Sequence, residues 1–323
     1  MKTIRLMILL LLLRPFLSTN LHAGNTAASL DLAGNAYEKN LGYGAVAEYD
    51  NINSAAYNPA VIGNIRSLNG AITYMDYFSD FSLFYGHIVY PIPKIINVSC
   101  RVCYLSTPSV KDIETGEDLD YNEFFISLGT GYTFWKKLTL GGQASFYRAG
   151  IADRSGNTFF GDIGANYRID LPTIEPNQFV LGFSILNLGP GIKFIQSASS
   201  LPLNFNCGAE YIYKYNYKLL LGIRKYYDHS GILPSLGAEF TLFHTVSARA
   251  AVINDINDTV KYALGLGFHL DYSGYDLLLD YAFMPAINID NASIITLTFK
   301  FPVPEEENGK EKENNWKNMW KPK

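Results

Sequence analysis

Charged residues and cysteines are scarce in this chain of 323 residues. Asp, Glu, Lys and Arg make up 17% of the sequence and leave a net charge of −4, so there is no basic excess to attract nucleic acid. The three cysteines, Cys100, Cys103 and Cys207, are odd in number and do not form a disulfide framework. Cys100 and Cys103 have CxxC spacing, but such positions face opposite sides of a strand, which argues against a shared metal or redox site.

Long apolar runs are missing after the N-terminus. The chain opens with Lys2 and Arg5, continues through the apolar stretch Leu6–Leu13, and reaches the small-residue site Leu21-His22-Ala23. This pattern predicts a secretory signal peptide over residues 1–23 rather than a retained anchor, because the run is short and is interrupted by Arg14. No later segment has the roughly 20 apolar residues that a membrane helix needs, so a membrane-embedded mature chain would cross as strands.

Tyrosine, phenylalanine and glycine are abundant, with 23, 20 and 27 residues, which fits short strands and turns better than helices. From Lys261 to Phe301 large apolar residues occupy every second position in three successive runs. A period of two predicts strands with one apolar face. The other face is poor in Lys and Glu and rich in Gly, Ala, Ser and Asn, which favours the interior of a barrel whose outside meets lipid.

The same alternation recurs upstream and gives fourteen candidate strands in total. They are Ser67–Tyr77, Phe81–Tyr90, Asn97–Thr107, Phe124–Phe134, Leu138–Phe146, Thr158–Ile169, Phe179–Asn187, Leu203–Ile212, Lys218–Lys225, Leu233–Thr241, Val246–Val252, Tyr262–Leu270, Tyr275–Phe283 and Ile295–Phe301. An even count is what a closed single-chain bacterial barrel requires. The prediction is an all-β fold: a transmembrane antiparallel β-barrel over residues 67–301.

Connectors fall into two classes of length. Trp135–Lys137 and Tyr77–Asp80 are short, whereas Ser109–Tyr121 and Gly189–Leu201 are longer. Outer-membrane barrels keep short turns on the periplasmic side and longer loops outside. Five aromatic residues near predicted strand ends are candidates for an interfacial girdle, the alternative being a soluble core: Phe134, Trp135, Tyr147, Tyr281 and Phe283.

The C-terminal residues 302–323 lose the alternation and become rich in charge, which predicts a disordered periplasmic tail. Trp316 and Trp320 are four residues apart and could form a docking face on a transient helix, or belong to an inert tail. The last predicted strand ends in an aromatic residue, the usual feature that barrel-insertion machinery reads.

The segment before the first strand, residues 24–66, has no alternation and is rich in small residues. Its run from Gly42 to Ala60, ending in Tyr57-Asn58-Pro59-Ala60, resembles the PorV/PorQ family, which belongs with the FadL-type outer-membrane fatty-acid transporters. Two later segments agree with the resemblance, Asn187–Phe194 and Leu201–Asn204 leading into Gly208–Tyr211. The resemblance covers most of the mature chain.

The resemblance implies a fourteen-stranded barrel whose N-terminal segment folds into the lumen as a hatch. Hatch candidates are Gly42, Gly44, Asp50, Tyr57, Asn58 and Pro59. The Asn-Pro pair also favours a turn on local grounds alone. The long hydrophobic loop hairpins of a high-capacity fatty-acid transporter are missing from this sequence. Gly189-Pro190-Gly191 is predicted to form a kink or bulge instead, because Gly and Pro interrupt strand pairing.

Charged and polar side chains on the predicted inner face form a candidate lumen network. They are Asp162, Asn166, Arg168, Asn206, Glu210, Glu239, Arg249, Lys261, His269, Asp276, Asp280 and Lys300. They could line a conduit, or pair with one another to brace the wall and hold the hatch. His269 has glycines as inward neighbours and no nucleophile at motif spacing, so we predict no enzyme activity, and no metal or cofactor.

Two functions remain open for a barrel exported to the outer membrane of a two-membrane bacterium. The first is passive binding or passage of hydrophobic, fatty-acid-like small molecules. The second is a non-transporting role with secretion-system proteins, in which the barrel receives secreted cargo. In either case the predicted partners are membrane lipids and the barrel-insertion machinery, and not nucleic acid. A soluble β-sandwich is the third interpretation of the same alternation.

Overall fold

The computed structural model describes residues 27–32, 34–77, 81–93, 95–107, 110–111, 118–152, 154–171, 177–194, 198–255, 260–285 and 291–302. The predicted signal peptide lies outside these ranges, as do Trp316 and Trp320 and all but the first residue of the predicted tail. Among the helices of the described ranges, none is long and apolar enough to cross a membrane.

Fourteen antiparallel strands form a closed barrel in which the first strand pairs with the last. They are β1 (Asn69–Tyr77), β2 (Phe81–Ile92), β3 (Ile96–Ser106), β6 (Tyr121–Phe134), β7 (Leu138–Ile151), β8 (Arg154–Leu171), β9 (Asn177–Leu188), β12 (Asn204–Tyr213), β13 (Tyr217–Tyr226), β14 (Leu233–Leu242), β15 (Val246–Asn254), β16 (Val260–Tyr272), β17 (Tyr275–Met284) and β18 (Ala292–Lys300). Two small hairpins lie in connectors, β4 (Val110–Lys111) with β5 (Asp118–Leu119), and β10 (Ile192–Lys193) with β11 (Ala198–Ser199). The predicted strand number and antiparallel barrel are confirmed.

Rows of large apolar side chains point outward from the barrel strands. Ile72, Leu128 and Leu264 are 60%, 66% and 54% exposed. Inward neighbours such as Ser127 and Ala263 are buried. The soluble-sandwich interpretation is therefore wrong, because a soluble protein would bury these rows, whereas a barrel in lipid presents them to hydrocarbon.

Several strands extend beyond the predicted bounds at one end of the barrel. β8 begins at Arg154, four residues before the predicted Thr158, and β7 continues to Ile151. The first residues of β8 are polar or small, since they pair in the ladder without meeting hydrocarbon. Alternation in hydrophobicity marks only the part of a strand that needs an apolar face.

The barrel has a turn end and a loop end. At the turn end the chain enters β1 and leaves β18 side by side, with the Phe301 amide donating to the Leu68 carbonyl (2.9 Å). The same end carries the tight turns 135–137, 214–216, 243–245 and 273–274, as their strand pairings show. Tyr77 and Phe81, the strand ends on either side of the other predicted short connector, lie at the opposite, loop end, because strand direction alternates. The length of the connector Tyr77–Asp80 is therefore not a guide to its side of the membrane: it is short, but its flanking residues lie at the end opposite the tight turns.

A bulge interrupts the β8–β9 pairing between Gly161 and Ile163. Asn187 adopts φ 62° there, and the Asp162 carboxylate accepts its backbone N–H (2.8 Å). The bulge comes just before Gly189-Pro190-Gly191, where the sequence predicts an interruption. Ile192 and Leu201, which belong to the connector that follows, are buried in the apolar cluster of the lumen.

Candidate functional site: the lumen and its hatch

The N-terminal segment 27–66, which we call the hatch, lies inside the barrel. It consists of two short helices, Ala28–Leu32 and Ala36–Lys39, and three 3₁₀ segments, Gly42–Ala47, Ile52–Ser54 and Pro59–Asn64. Asn35 and Glu38 form a capping box at the second helix, and the Asn58 side chain caps the Pro59 segment. These side-chain caps explain why a segment without strand alternation forms a series of short helices and 3₁₀ segments.

Glycines on the inner wall form the seat of the hatch. An added Cβ at Gly141 would lie 2.2 Å from the Pro59 carbonyl oxygen, and one at Gly182 would lie 2.1 Å from the Val46 carbonyl oxygen. The same close approach of hatch atoms occurs at further inward glycines: Gly131, Gly164, Gly208, Gly222, Gly237 and Gly265. At five of these glycines the wall meets the hatch backbone, and at Gly164, Gly208 and Gly265 it meets hatch side chains; a side chain on the wall would prevent either approach.

Polar side chains of the wall and the hatch hold the hatch in this seat. The Asn58 amide donates to the Val46 carbonyl (2.7 Å) and to the Ala165 carbonyl of β8 (3.2 Å), and also bonds to Asn166. The Asn166 amide donates in turn to the Glu48 carbonyl (2.6 Å). Further wall–hatch bonds are Ser184 to the Tyr57 carbonyl (2.6 Å), the Ala36 amide to Thr296 (2.9 Å), and the Ser29 amide to Glu123 (2.7 Å).

The predicted hatch residues take different positions. Tyr57 and Asn58 are 5% and 0% exposed, and Gly42 has φ 65°, a left-handed conformation that glycine adopts without strain. Gly44 packs against Leu220 of β13. Pro59 begins the last 3₁₀ segment. Asp50 is exposed, so it differs from the buried members of the predicted set.

Two groups of buried ion pairs lie in the half of the lumen nearest the turn end, which we call the charged half. Arg249 pairs with Asp280 (2.6 Å) and with Glu239, which lies directly opposite it on β14. A second pair joins the barrel to the hatch, since Lys218 contacts Glu48 (2.9 Å) and Glu210 (3.4 Å).

Tyr37 of the hatch lies between these two groups. The Arg249 guanidinium lies 4.5 Å from the centre of its ring, and its hydroxyl bonds to Glu48 and accepts from Lys218 (2.9 Å). Burial raises the pKa of the Tyr37 hydroxyl well above its ordinary value, and the nearby carboxylates add to the effect. The tyrosine therefore stays neutral and can donate to Glu48.

The other predicted network residues lie elsewhere. Asp162 pairs with Arg101 (2.8 Å) in the middle of the lumen. His269 is 3.5 Å from Asp276 near the turn end, and Lys300 lies opposite Asp276 in the strand register. Arg168 pairs with Asp170 (3.1 Å). The predicted single network is thus several local groups, because neighbouring inward positions are separated along the barrel axis.

Sequence reasoning missed Arg101, Lys218, Arg224 and Glu48. The first three occupy inward positions of strands, so the alternation of inward and outward residues would have identified them. Glu48 belongs to the hatch, where the sequence has no such alternation. Arg224 lies over the rings of Tyr43 (4.4 Å) and Tyr57 (4.7 Å), and donates to Asn206 (2.7 Å). Cation–π contacts of this kind join the barrel wall to the hatch.

Two ionisable neighbours within the hatch have opposite pKa shifts. Burial raises the pKa of Glu38 from 4.5 to about 8, against the opposing effect of Lys39. Burial also lowers the pKa of Lys39. For Glu48, burial alone would raise the pKa, but the Lys218 ammonium and the Tyr37 hydroxyl hold it below its ordinary value.

The half of the lumen nearest the loop end contains most of the large apolar inward side chains, together with the buried charged residues Glu123 and Arg224. Its inward residues include Met75, Leu83, Leu105, Phe125, Tyr147, Phe160, Leu233, Ile253 and Ile294. We call this region the outer chamber. Tyr147 is 0% exposed and belongs to it, so its assignment to an interfacial girdle is wrong. The alternation of β7 places Tyr147 on the same inward face as Gln143 and Ser145.

A cavity of about 20 Å³ lies where the outer chamber meets the charged half. It is lined by hatch residues Leu30 and Ala56, by Arg101 and Asp162, and by wall residues Phe125, Phe160, Leu186 and Asn187. This volume holds about one water molecule, compared with the several hundred Å³ of a typical small-molecule site. With the hatch seated, the described residues leave little free space in the lumen at this level.

Comparisons with known proteins bear on the fold. No protein-family model and no curated protein sequence matches the chain. The crystal structure of the Pseudomonas putida toluene transporter TodX is similar, at 10% identity with a TM-score of 0.51, over 78% of this chain and 93% of that one. A second TodX crystal structure has 9% identity and a TM-score of 0.51, over 77% and 94% of the chains. The likeness shows that the chain shares the fold of TodX.

Proposed function

We propose that the protein is an outer-membrane channel for hydrophobic small molecules, which enter the outer chamber from the loop end. The predominance of large apolar side chains in this chamber, beside only two buried charged residues of the described wall, Glu123 and Arg224, carries the proposal, because the lumen of a barrel that conducts hydrophilic solutes is polar. TodX, which has a similar fold, is a toluene transporter. The predicted signal peptide and the lipid-facing exterior support export to the outer membrane by the barrel-insertion machinery.

Passage requires a rearrangement of the hatch. The outer chamber leads to a cavity with room for about one water molecule, below which the hatch rests on the glycine seat. Removing the hatch as one body would break the wall bonds of Ser29, Ala36 and Asn58 together. A local shift beside the cavity, where Leu30 and Ala56 meet the wall, breaks fewer bonds and is the route we propose.

The test is uptake of a hydrophobic probe, such as toluene, by liposomes containing the full mature chain. We expect uptake above that of empty liposomes, and exclusion of a hydrophilic dye. Ile294→Asn puts an amide into the outer chamber and should lower uptake severalfold, whereas Ser293→Asn changes the neighbouring residue, which does not line the chamber, and should not. No uptake by the intact chain, or equal effects of the two substitutions, would overturn the proposal.

A second candidate function is the non-transporting role in protein secretion that the PorV/PorQ resemblance implies. The observation that favours it is the small free space in the lumen, whose hatch is bonded to the wall at many points. In that case deleting residues 24–60 would merely open an aqueous leak, and the intact chain would co-purify with secreted cargo without carrying the hydrophobic probe. The two functions therefore give opposite results in the same liposome assay.

A further inference from the structure

An open recess of about 390 Å³ lies on the wall of the barrel beside the turn that joins β12 to β13. It is lined by Tyr211, Tyr213, Tyr217, Lys218 and Leu219. The tyrosines and Leu219 belong to the lipid-facing rows of the two strands, whereas the Lys218 ammonium points into the lumen toward Glu48. The recess is therefore a feature of the lipid-facing surface and is separate from the hatch and the outer chamber.

Aromatic contacts give the recess a fixed shape. The rings of Tyr213 and Tyr217, opposite each other in the β12–β13 register, have centroids 6.1 Å apart. The Tyr217 ring stacks on Phe240 of β14, at 4.9 Å and an interplanar angle of 28°. Each ring is supported by a neighbour, so the walls of the recess are formed before anything binds.

A cation stands at the mouth of the recess. The Lys214 ammonium lies 5.3 Å from the centre of the Tyr213 ring. Lys214 and Tyr215 have φ of 52° and 58°, the left-handed region that costs a non-glycine residue about 1 kcal/mol or more. An Asn-Gly turn would adopt this geometry without that cost. Trp135-Lys136 and Phe243-His244 have the same left-handed geometry, so it is common to the tight turns of this end, and here it places Lys214 beside the Tyr213 ring.

We propose that this recess binds one anionic phospholipid, with its phosphate at Lys214 and the tyrosine hydroxyls and one acyl chain along Leu219. Lysine at a membrane surface attracts anionic headgroups, and tyrosine places an apolar ring beside the chains with its hydroxyl at headgroup level. The acyl chain continues onto Leu221, which is 56% exposed on the same face. The site lies on the lipid-facing wall and does not depend on passage through the lumen.

Lipid retention by the full mature chain tests this site. The protein is reconstituted with equal amounts of phosphatidylglycerol and phosphatidylcholine, extracted in mild detergent, and its bound lipids are counted by native mass spectrometry. We expect one retained phosphatidylglycerol, held about fivefold less by Lys214→Gln, which removes the charge. Tyr217→Ala should lower retention too, because it opens one wall of the recess.

Lys136→Gln is the matched control. Lys136 also has left-handed φ in a turn at the same end, 61°, and is exposed. The Lys136→Gln variant should retain as much phosphatidylglycerol as the unaltered chain does. Equal losses for Lys136→Gln and Lys214→Gln would mean a general attraction to the headgroup layer and would overturn the site. Equal retention of the two lipids would also overturn the site. Displacement of phosphatidylglycerol by millimolar inorganic phosphate would overturn it as well, because it would indicate an anion site rather than a lipid site.

Discussion

Asn58 of the hatch and Asn166 of strand β8 are hydrogen bonded to each other inside the barrel, although 108 residues separate them in the chain. Asn58 also caps the 3₁₀ segment that begins at Pro59, by accepting from the Ala60 amide (3.0 Å). One side chain thus fixes the local fold of the hatch and its attachment to the wall. The seat of the hatch depends on such double contacts.

Asn58→Ala should loosen the hatch more than Asn51→Ala. Both residues cap a 3₁₀ segment, but Asn58 also donates to Val46 and to the wall at Ala165. A lost cap costs about 1 kcal/mol, and each unpaired buried partner adds about 1–3 kcal/mol. The measurement is the urea concentration at which protease cleaves within residues 34–66 of the detergent-solubilised protein. Equal midpoints for the two variants would contradict the role of Asn58 in attachment.

Gly141→Ala should unseat the hatch, whereas Gly142→Ala should be tolerated. These adjacent glycines face opposite sides of β7: a Cβ on Gly141 would lie 2.2 Å from the Pro59 carbonyl, but on Gly142 the nearest atom is 3.4 Å away. We expect larger or noisier ionic currents through planar bilayers for the first variant only. Both should keep the barrel, as shown by heat-dependent migration in a gel. Silent currents from Gly141→Ala would mean that the hatch can shift to accept a methyl group.

Arg249→Met should destabilise the protein by about 3–5 kcal/mol, because it leaves Glu239 and Asp280 buried without their cation. The triple change Arg249→Met, Glu239→Gln, Asp280→Asn should recover much of this loss, since no uncompensated charge remains. Urea unfolding in detergent micelles gives both values. A triple variant as unstable as the single one would show that packing of the Arg249 side chain, rather than charge, decides its contribution.

Stability of the hatch should fall as the pH rises from about 4.5 to about 8, because of Glu38. Its folded pKa of about 8 lies above the ordinary 4.5, so the folded state holds a proton that the unfolded state has released in this range. The loss should reach a few kcal/mol by pH 8. Cleavage midpoints in urea at pH 5, 6.5 and 8.5 measure it.

Glu38→Gln is the control for this pH dependence. A glutamine keeps an oxygen that can accept from the Asn35 amide, as Glu38 does in the capping box, but it cannot ionise. Its cleavage midpoint should vary less with pH than that of the unaltered chain. The same fall in both proteins would assign the effect to a group other than Glu38, and also other than Lys39, because the lowered pKa of Lys39 makes stability rise with pH.

Part of the lumen chemistry follows from the strand register alone. Glu239 and Arg249 are both placed inward by a period of two, and they lie directly opposite each other on β14 and β15. Register along one hairpin is a local property, so this pair is accessible to sequence reasoning. Asp162 and Arg101 are also inward by register, but β3 and β8 are not neighbours in the sheet, and their contact crosses the lumen.

The sequence by itself determined the fourteen strands and which face of each meets lipid, because both depend on alternation between adjacent residues. Only the tertiary structure decided what fills the barrel. The hatch has no period, and its position is set by contacts such as Lys218 to Glu48, 170 residues apart, and by wall glycines that let two backbones touch. A glycine on an inner face is visible in the sequence, but what packs on it depends on how the closed barrel surrounds the hatch.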